Sequence, residues 1–297
     1  MKKESFVNTG VLYSISASIW WGVIQVVYFK IISFVNPTEV LAVRIIASAI
    51  LLFPFIIWSK SIYEIKKIRV KKYFFILFLT SLFICGNWFL WITAIGLNQV
   101  VEASMGYYIT PLFKAVLGFL IFRERLSKWQ LVAFVIATLG VLNLFVQYGS
   151  VPVITLGILL TFGFYGALRK KTEVTSQMGL LCELTFALPI AFVIYIWIGL
   201  NDIETYFLSD ISLFGLLFLS GFITVVPLFL YVKGIQKIKL ATAGIIFYIT
   251  PTLQFLVGVL IYGEELDFTK ITTLILIWIS VFIYSFDSFK NYKETNN

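Results

Sequence analysis

Histidine is absent from this chain, cysteine occurs twice, and charged residues fill only 13% of its 297 positions. Each shortage excludes something. Without histidine there is no imidazole proton relay near neutral pH, no Ser/His dyad and no histidine-based metal site. Cys85 and Cys182 both lie inside long apolar runs, so they carry neither a disulfide nor a metal argument. Aspartate is confined to Asp202, Asp210, Asp267 and Asp287, in loops or at the end of a run. That removes the facing pair that intramembrane aspartyl proteolysis requires. No nucleotide-binding motif is present, and the loops are too short to form a separate catalytic domain. The sequence therefore predicts no enzyme, no cofactor and no metal.

What is abundant is apolar surface. Hydrophobic residues make up 60% of the chain and aromatics 18%, more than any soluble core absorbs, so the reading is a polytopic membrane protein in contact with a lipid bilayer. The aromatics exceed what the ends of membrane spans require, so some line the interior. The net charge of +8 sits in short loops, where it sets orientation rather than binding nucleic acid. Lys2 and Lys3 before an apolar stretch resemble a signal peptide, but the stretch continues to about Phe29 without a small-residue cleavage site. It is read as a retained first helix.

Ten apolar runs are long enough to cross ~30 Å at ~1.5 Å per residue. They lie near 7–29, 38–58, 73–95, 100–122, 129–147, 151–168, 178–198, 211–233, 241–262 and 271–287. Counting Lys and Arg between them gives 19 on one side and 2, Lys30 and Lys270, on the other. Both termini are therefore expected in the cytoplasm.

One tetrapeptide occurs twice. Tyr108 to Pro111 and Tyr248 to Pro251 both read YITP, 140 residues apart. The same offset lays Leu77-Phe78-Leu79 on Leu217-Phe218-Leu219, Phe89-Leu90 on Phe229-Leu230, Gly118 on Gly258 and Glu124 on Glu264. The expected domains are a first five-helix repeat at 1–148, a second at 149–290 and a short cytoplasmic tail at 291–297. Five helices is an odd number, so the second copy enters the membrane from the opposite side. The fold class is thus all-α, ten transmembrane helices as two inverted five-helix repeats.

These residues carry a resemblance. Trp20-Trp21-Gly22, Glu102-Ala103-Ser104 leading into Gly106 to Pro111, and the Arg-Glu step that follows resemble the EamA-type drug/metabolite transporters. Phe164-Tyr165-Gly166 before Arg169-Lys170-Lys171, then Glu183, Leu188-Pro189, Val226-Pro227-Leu228 and Tyr248 to Thr252, resemble the RarD-like subgroup. The resemblance implies a bacterial inner-membrane carrier that moves a small metabolite or drug-like compound by alternating access, with export the expected direction. It also implies that spans 1 to 4 and 6 to 9 enclose a cavity, leaving spans 5 and 10 peripheral or at a homodimer contact. The alternative is a membrane-embedded enzyme or channel without a recognisable catalytic motif.

Candidate site residues follow from chemistry that is costly in lipid. Pro111 and Pro251 each free a carbonyl four residues back, either as symmetry-related hinges or as ordinary bends. Arg44, Lys114 and Glu183 are charges inside runs, each costing ~2.5–3.5 kcal/mol on insertion scales. Arg44 stands at a depth comparable with Glu102, and Glu183 with Lys233; such charges are either structural ion pairs or gates. Glu183 and Glu102 are the carboxylates that could couple transport to protons. Lys114, whose repeat counterpart is Gln254, either meets an anionic substrate, snorkels toward the headgroups or pairs with Glu183. Trp20, Asn87, Trp88, Trp91, Tyr107, Tyr108, Tyr165, Phe247 and Tyr248 complete a cavity of aromatic and amide character.

Overall fold

The computed structural model describes residues 2–58, 70–123, 126–172, 174, 176–201, 203–207, 211–235, 237–238 and 246–294. The basic stretch at 59–69, Glu124 and Arg125, Asp202 and Asp210, the first residues of the ninth run and the last of the tail lie outside them. Among the described residues there is no β-strand. The first run begins as α1 (Lys2–Ile19), widens into a π-helical turn (Trp20–Ile24) and continues as α2 (Gln25–Ile31). Then come α3 (Pro37–Trp58), α4 (Val70–Gly96), α5 (Val100–Phe122) and α6 (Lys128–Tyr148). The later helices are α7 (Val153–Lys170), α8 (Ser176–Leu200), α9 (Ile211–Ile235), α10 (Ile249–Leu260) and α11 (Phe268–Glu294). Among the described residues, eight helices are long and apolar enough to span a bilayer, and α7 and α10 are shorter apolar ones. The chain is a polytopic, all-helical membrane protein.

Local sequence explains where these helices stop. Ser127 caps α6 by accepting the Gln130 N–H while the Gln130 side chain accepts the Ser127 N–H, which satisfies two otherwise orphaned donors. The tight link from α4 to α5 turns on Asn98 in the left-handed region (φ 55°), a conformation asparagine tolerates. Arg123 (φ 56°) ends α5 and Gly263 (φ 65°) follows α10. These positions are 140 residues apart, so the repeat extends to backbone conformation.

The helices pair in a pattern that the repeat organises. α3 packs on α8 and α9, α4 on α7 and α8, α1 on α9, α5 on α7 and α10, the π turn on α10, and α6 on α11. Advancing every run by five exchanges α1 against α9 with α7 against α4, and α5 against α7 with α10 against the π turn. The pairs α3 with α8, α5 with α10 and α6 with α11 map onto themselves. Individual contacts obey the same shift: a Cβ at Gly22 would meet Leu253 at 2.6 Å, and one at Gly163 would meet Phe113 at 2.3 Å. Between apolar helices in lipid, close approach and polar bonds drive association. Along α6 and α11, Asn143 donates to Thr272 and Thr273 at 3.0 Å, Ser280 to the Ala133 carbonyl at 2.6 Å and Ser127 to Asp287 at 2.6 Å. These two helices lie at the edge, with Phe145, Val146, Phe282 and Phe286 exposed.

One end of the bundle gathers the turns after α2, α4, α6 and α10. There Glu264 accepts the Val100 and Val101 N–H groups at 2.7 and 2.9 Å, and Glu39 accepts those of Tyr206 and Phe207 at 2.9 and 2.8 Å. Lys30 donates to Asn98, Tyr148 to Asp267 at 2.5 Å, and Lys270 pairs with Glu102 at 2.9 Å.

Candidate functional site

The site is built on α5. Tyr107 and Lys114 are seven residues apart, two helical turns, so both project from one face toward α4 and α7. The Tyr107 hydroxyl donates to Asn87 Oδ1 at 2.9 Å, and Asn87 Nδ2 donates to Thr161 Oγ1 at 3.2 Å. Tyr107 also sets its ring edge-on to Trp91 at 5.8 Å and to Phe162 at 5.6 Å.

Phe162 is the hub. It stacks on Tyr165 at 6.0 Å and on Phe247 at 5.9 Å, and Lys114 Nζ lies 4.1 Å from its ring centroid. Trp21 extends the surface by meeting Phe247 at 6.4 Å and Tyr231 at 5.4 Å. The cluster draws Tyr107, Asn87 and Lys114 from the first repeat and Phe162, Tyr165 and Phe247 from the second.

The buried charges find different companions from those their depth suggests. Arg44, 2% exposed, does not pair with Glu102. Its Nε donates to Thr224 Oγ1 at 2.8 Å, and its guanidinium lies 4.5 Å from the Trp88 ring and 4.9 Å from the Phe29 ring. Glu102 is taken by Lys270 instead. Glu183, also buried, pairs with Arg169 Nε at 3.2 Å rather than with Lys233, and accepts the Tyr165 hydroxyl at 3.2 Å. Lys233 rests on the Phe229 ring at 4.3 Å. Lys114 lies over Phe162, and Glu183 is taken by Arg169. The Lys114 stem crosses Gly166, where a Cβ would sit 2.5 Å from Cε.

Other expected residues face elsewhere. Tyr108 and Tyr248 stack on each other at 6.4 Å, with Tyr108 donating to Thr252 Oγ1 at 2.8 Å. They join the second core cluster, formed with α6 and α11. Trp20 donates to the Ile223 carbonyl at 3.1 Å. Gln254 Nε2 lies 3.5 Å from the Trp21 carbonyl, at the π turn, as Lys114 lies over Phe162 in the other half. Pro111 is inside α5, whereas Pro251 stands in the first turn of α10, where a missing N–H costs nothing.

Sequence reasoning did not single out Phe162, Thr161 or Thr224, which are unremarkable residues in apolar runs. Arg169 opens the basic triplet Arg169-Lys170-Lys171 at the end of a run. Its spacing of four from Tyr165 is the available signal, since it places both on one helical face.

The profile of the EamA-like transporter family matches residues 8–146 and again residues 151–286. The chain belongs to the EamA-like transporter family. It is 37% identical over 282 residues to an uncharacterized transporter of Vibrio cholerae, covering 95% of this chain and 93% of that one. It is 36% identical to the protein RarD of Salmonella typhimurium, covering 94% and 95%. A solved crystal structure aligns with a TM-score of 0.57 over 95% of this chain and 98% of the other at 14% identity, a likeness of fold. This EamA-like protein is accordingly a RarD-like membrane transporter of bacterial type.

Proposed function

We propose that this EamA-like protein is a secondary transporter that carries a small metabolite across the bacterial inner membrane by alternating access, in the export direction. In this reading the ten runs form two inverted halves, 1–148 and 149–290, with both termini in the cytoplasm and the substrate held where the halves meet. The observation that carries it is the cluster around Phe162, in which an amide, a phenol, an ammonium and stacked rings converge from both halves. Few polar groups set among apolar and aromatic ones is the composition of a small-molecule site. The exchange of helix pairs by a five-run shift supports two equivalent halves able to trade conformations. Pro111 inside α5, the turn at Tyr248 before Pro251 and the π turn at Trp20–Ile24 are among the places where helix regularity is interrupted.

The buried Glu183, bonded to Arg169 and Tyr165, is the group proposed to carry a coupling proton. A homodimer would use the exposed surface of α6 and α11.

The test is counterflow in proteoliposomes across a metabolite library, followed by Phe162→Ala and Tyr107→Phe with the compound that is moved. Transport that vanishes in Phe162→Ala, in protein that still elutes as a single species, supports the reading. Full transport in both variants moves the substrate path elsewhere. Inside-out vesicles that accumulate the compound establish export, and right-side-out accumulation reverses the direction.

A further inference from the structure

Resting on the transporter reading above, we infer that Arg44 is the anion anchor of the substrate site and that the transported compound carries a carboxylate. Among the described residues, Glu183 is matched by Arg169, Glu102 by Lys270, and Glu39 and Glu264 by pairs of backbone N–H groups. Arg44 and Lys114 are met by rings and by no carboxylate. A guanidinium does not shed its proton, so Arg44 keeps its charge in a place where an unpaired ion is costly.

The second observation is an orphaned donor. Arg44 is locked at one corner, where Nε donates to Thr224, which itself donates to the Ser220 carbonyl at 2.8 Å. Nη1 is buried and has no hydrogen-bond partner among the described residues. Trp91 Nε1 is in the same condition. Trp91 is one turn from Trp88, the ring on which Arg44 rests, and it touches Tyr107. Both orphans are groups that only donate, so what completes them accepts.

The surroundings narrow the class further. Asn87, Tyr107 and Thr224 are engaged with protein partners, which leaves too few donors for a dianionic phosphate. Phe29, Trp88, Trp91 and Tyr107 present ring surface. A singly charged carboxylate on an apolar or aromatic body matches both the free corner of Arg44 and these walls. Because Arg44 comes from the first half and Thr224 from the second, an anion bound there also feels the relative position of the halves.

The experiment uses the full chain in nanodiscs, with tryptophan fluorescence titrated by benzoate, phenylacetate and 3-phenyllactate and by the amide of each. The expected result is a saturable change that Trp88→Phe removes, with at least one carboxylate binding about tenfold or more tighter than its amide, the scale of a charge-assisted hydrogen bond. Arg44→Lys should keep the preference with weaker binding, and Arg44→Gln should abolish it. Equal binding of acids and amides to the unmodified protein, or no binding by any acid, overturns the inference without appeal to a variant. So does an unchanged preference in folded Arg44→Gln. Proteoliposomes separate this from the transport reading: acids that bind but are never moved sink transport alone, and transport of a neutral compound that no acid competes with sinks the anion site alone.

Discussion

Arg169 and Glu183 make the residue-scale case that sequence position and side-chain location are different things. Arg169 stands next to two lysines at the end of a run, yet its side chain turns back to the buried Glu183 and covers Gly179, where a Cβ would lie 2.1 Å from Nη2. Removing one partner of such a pair strands the other, at a cost of about 3–5 kcal/mol. Glu183→Gln and Arg169→Gln should therefore each lower the melting temperature in detergent, while the double variant should recover most of the loss. Simple additivity in that cycle would show the pair to be energetically idle. If Glu183 also carries the coupling proton, Glu183→Gln should end pH-driven transport but spare substrate exchange, because exchange needs no net proton movement. Gly179→Ala tests the same pair without touching a charge and is expected to mimic Glu183→Gln in stability.

At the scale of the element, several close helix approaches fall where a side chain is missing. A Cβ at Gly106 on α5 would stand 2.6 Å from the Thr155 carbonyl of α7, and backbone gives way less easily than a side chain. Gly106→Ala is expected to destabilise the protein by about 1–3 kcal/mol through overpacking. Gly215→Ala, with nothing within 4 Å, is the matched control and should leave the melting temperature in place or raise it slightly, because helix propensity favours alanine over glycine. A loss of equal size in both would therefore trace to handling, not to the contact.

The turn after α10 is fastened differently, by the Glu264 carboxylate on the first two N–H groups of α5, where the positive end of the helix dipole favours it. Burial pushes the Glu264 carboxyl above its ordinary range, against the opposing pull of the Val101 and Val100 amides. A carboxyl raised in the folded state takes up a proton on folding, so its contribution to stability grows as pH falls through its folded pKa. The gap in melting temperature between the unmodified protein and Glu264→Gln should consequently widen from pH 7.5 toward pH 5. A gap that narrows over this interval would mean that the ionised form is the one the fold favours.

For the whole molecule, the alternation of basic and non-basic turns predicts which end faces the cytoplasm. Ser150 and Lys171 are both exposed and lie at opposite ends of α7. In a background lacking Cys85 and Cys182, single cysteines at these positions should differ: an impermeant reagent added to intact cells should label Ser150→Cys and not Lys171→Cys. The reverse pattern would invert the orientation, and labelling of both would break the ten-run topology.

The sequence by itself determined the class of protein, the family and most of the helix positions, because each rests on composition or on local periodicity. Sixty per cent apolar residues leave no soluble alternative, and the 140-residue offset is visible as written. Several members of the cluster were legible too, since Asn87, Tyr107, Lys114 and Tyr165 stand out as polar or aromatic groups in runs where polarity is costly. Only the tertiary structure decided who meets whom. Nothing in the order of residues says that Tyr107 turns toward Phe162 while the adjacent Tyr108 turns toward Tyr248, or that Glu183 takes Arg169 and leaves Arg44 with Thr224 and two rings. Partners on different helices are fixed by the rotation of each helix about its axis and by which helices touch. That rotation is set by close-packed backbones at sites such as Gly22, Gly106 and Gly163, a property of the assembled bundle and of no single run.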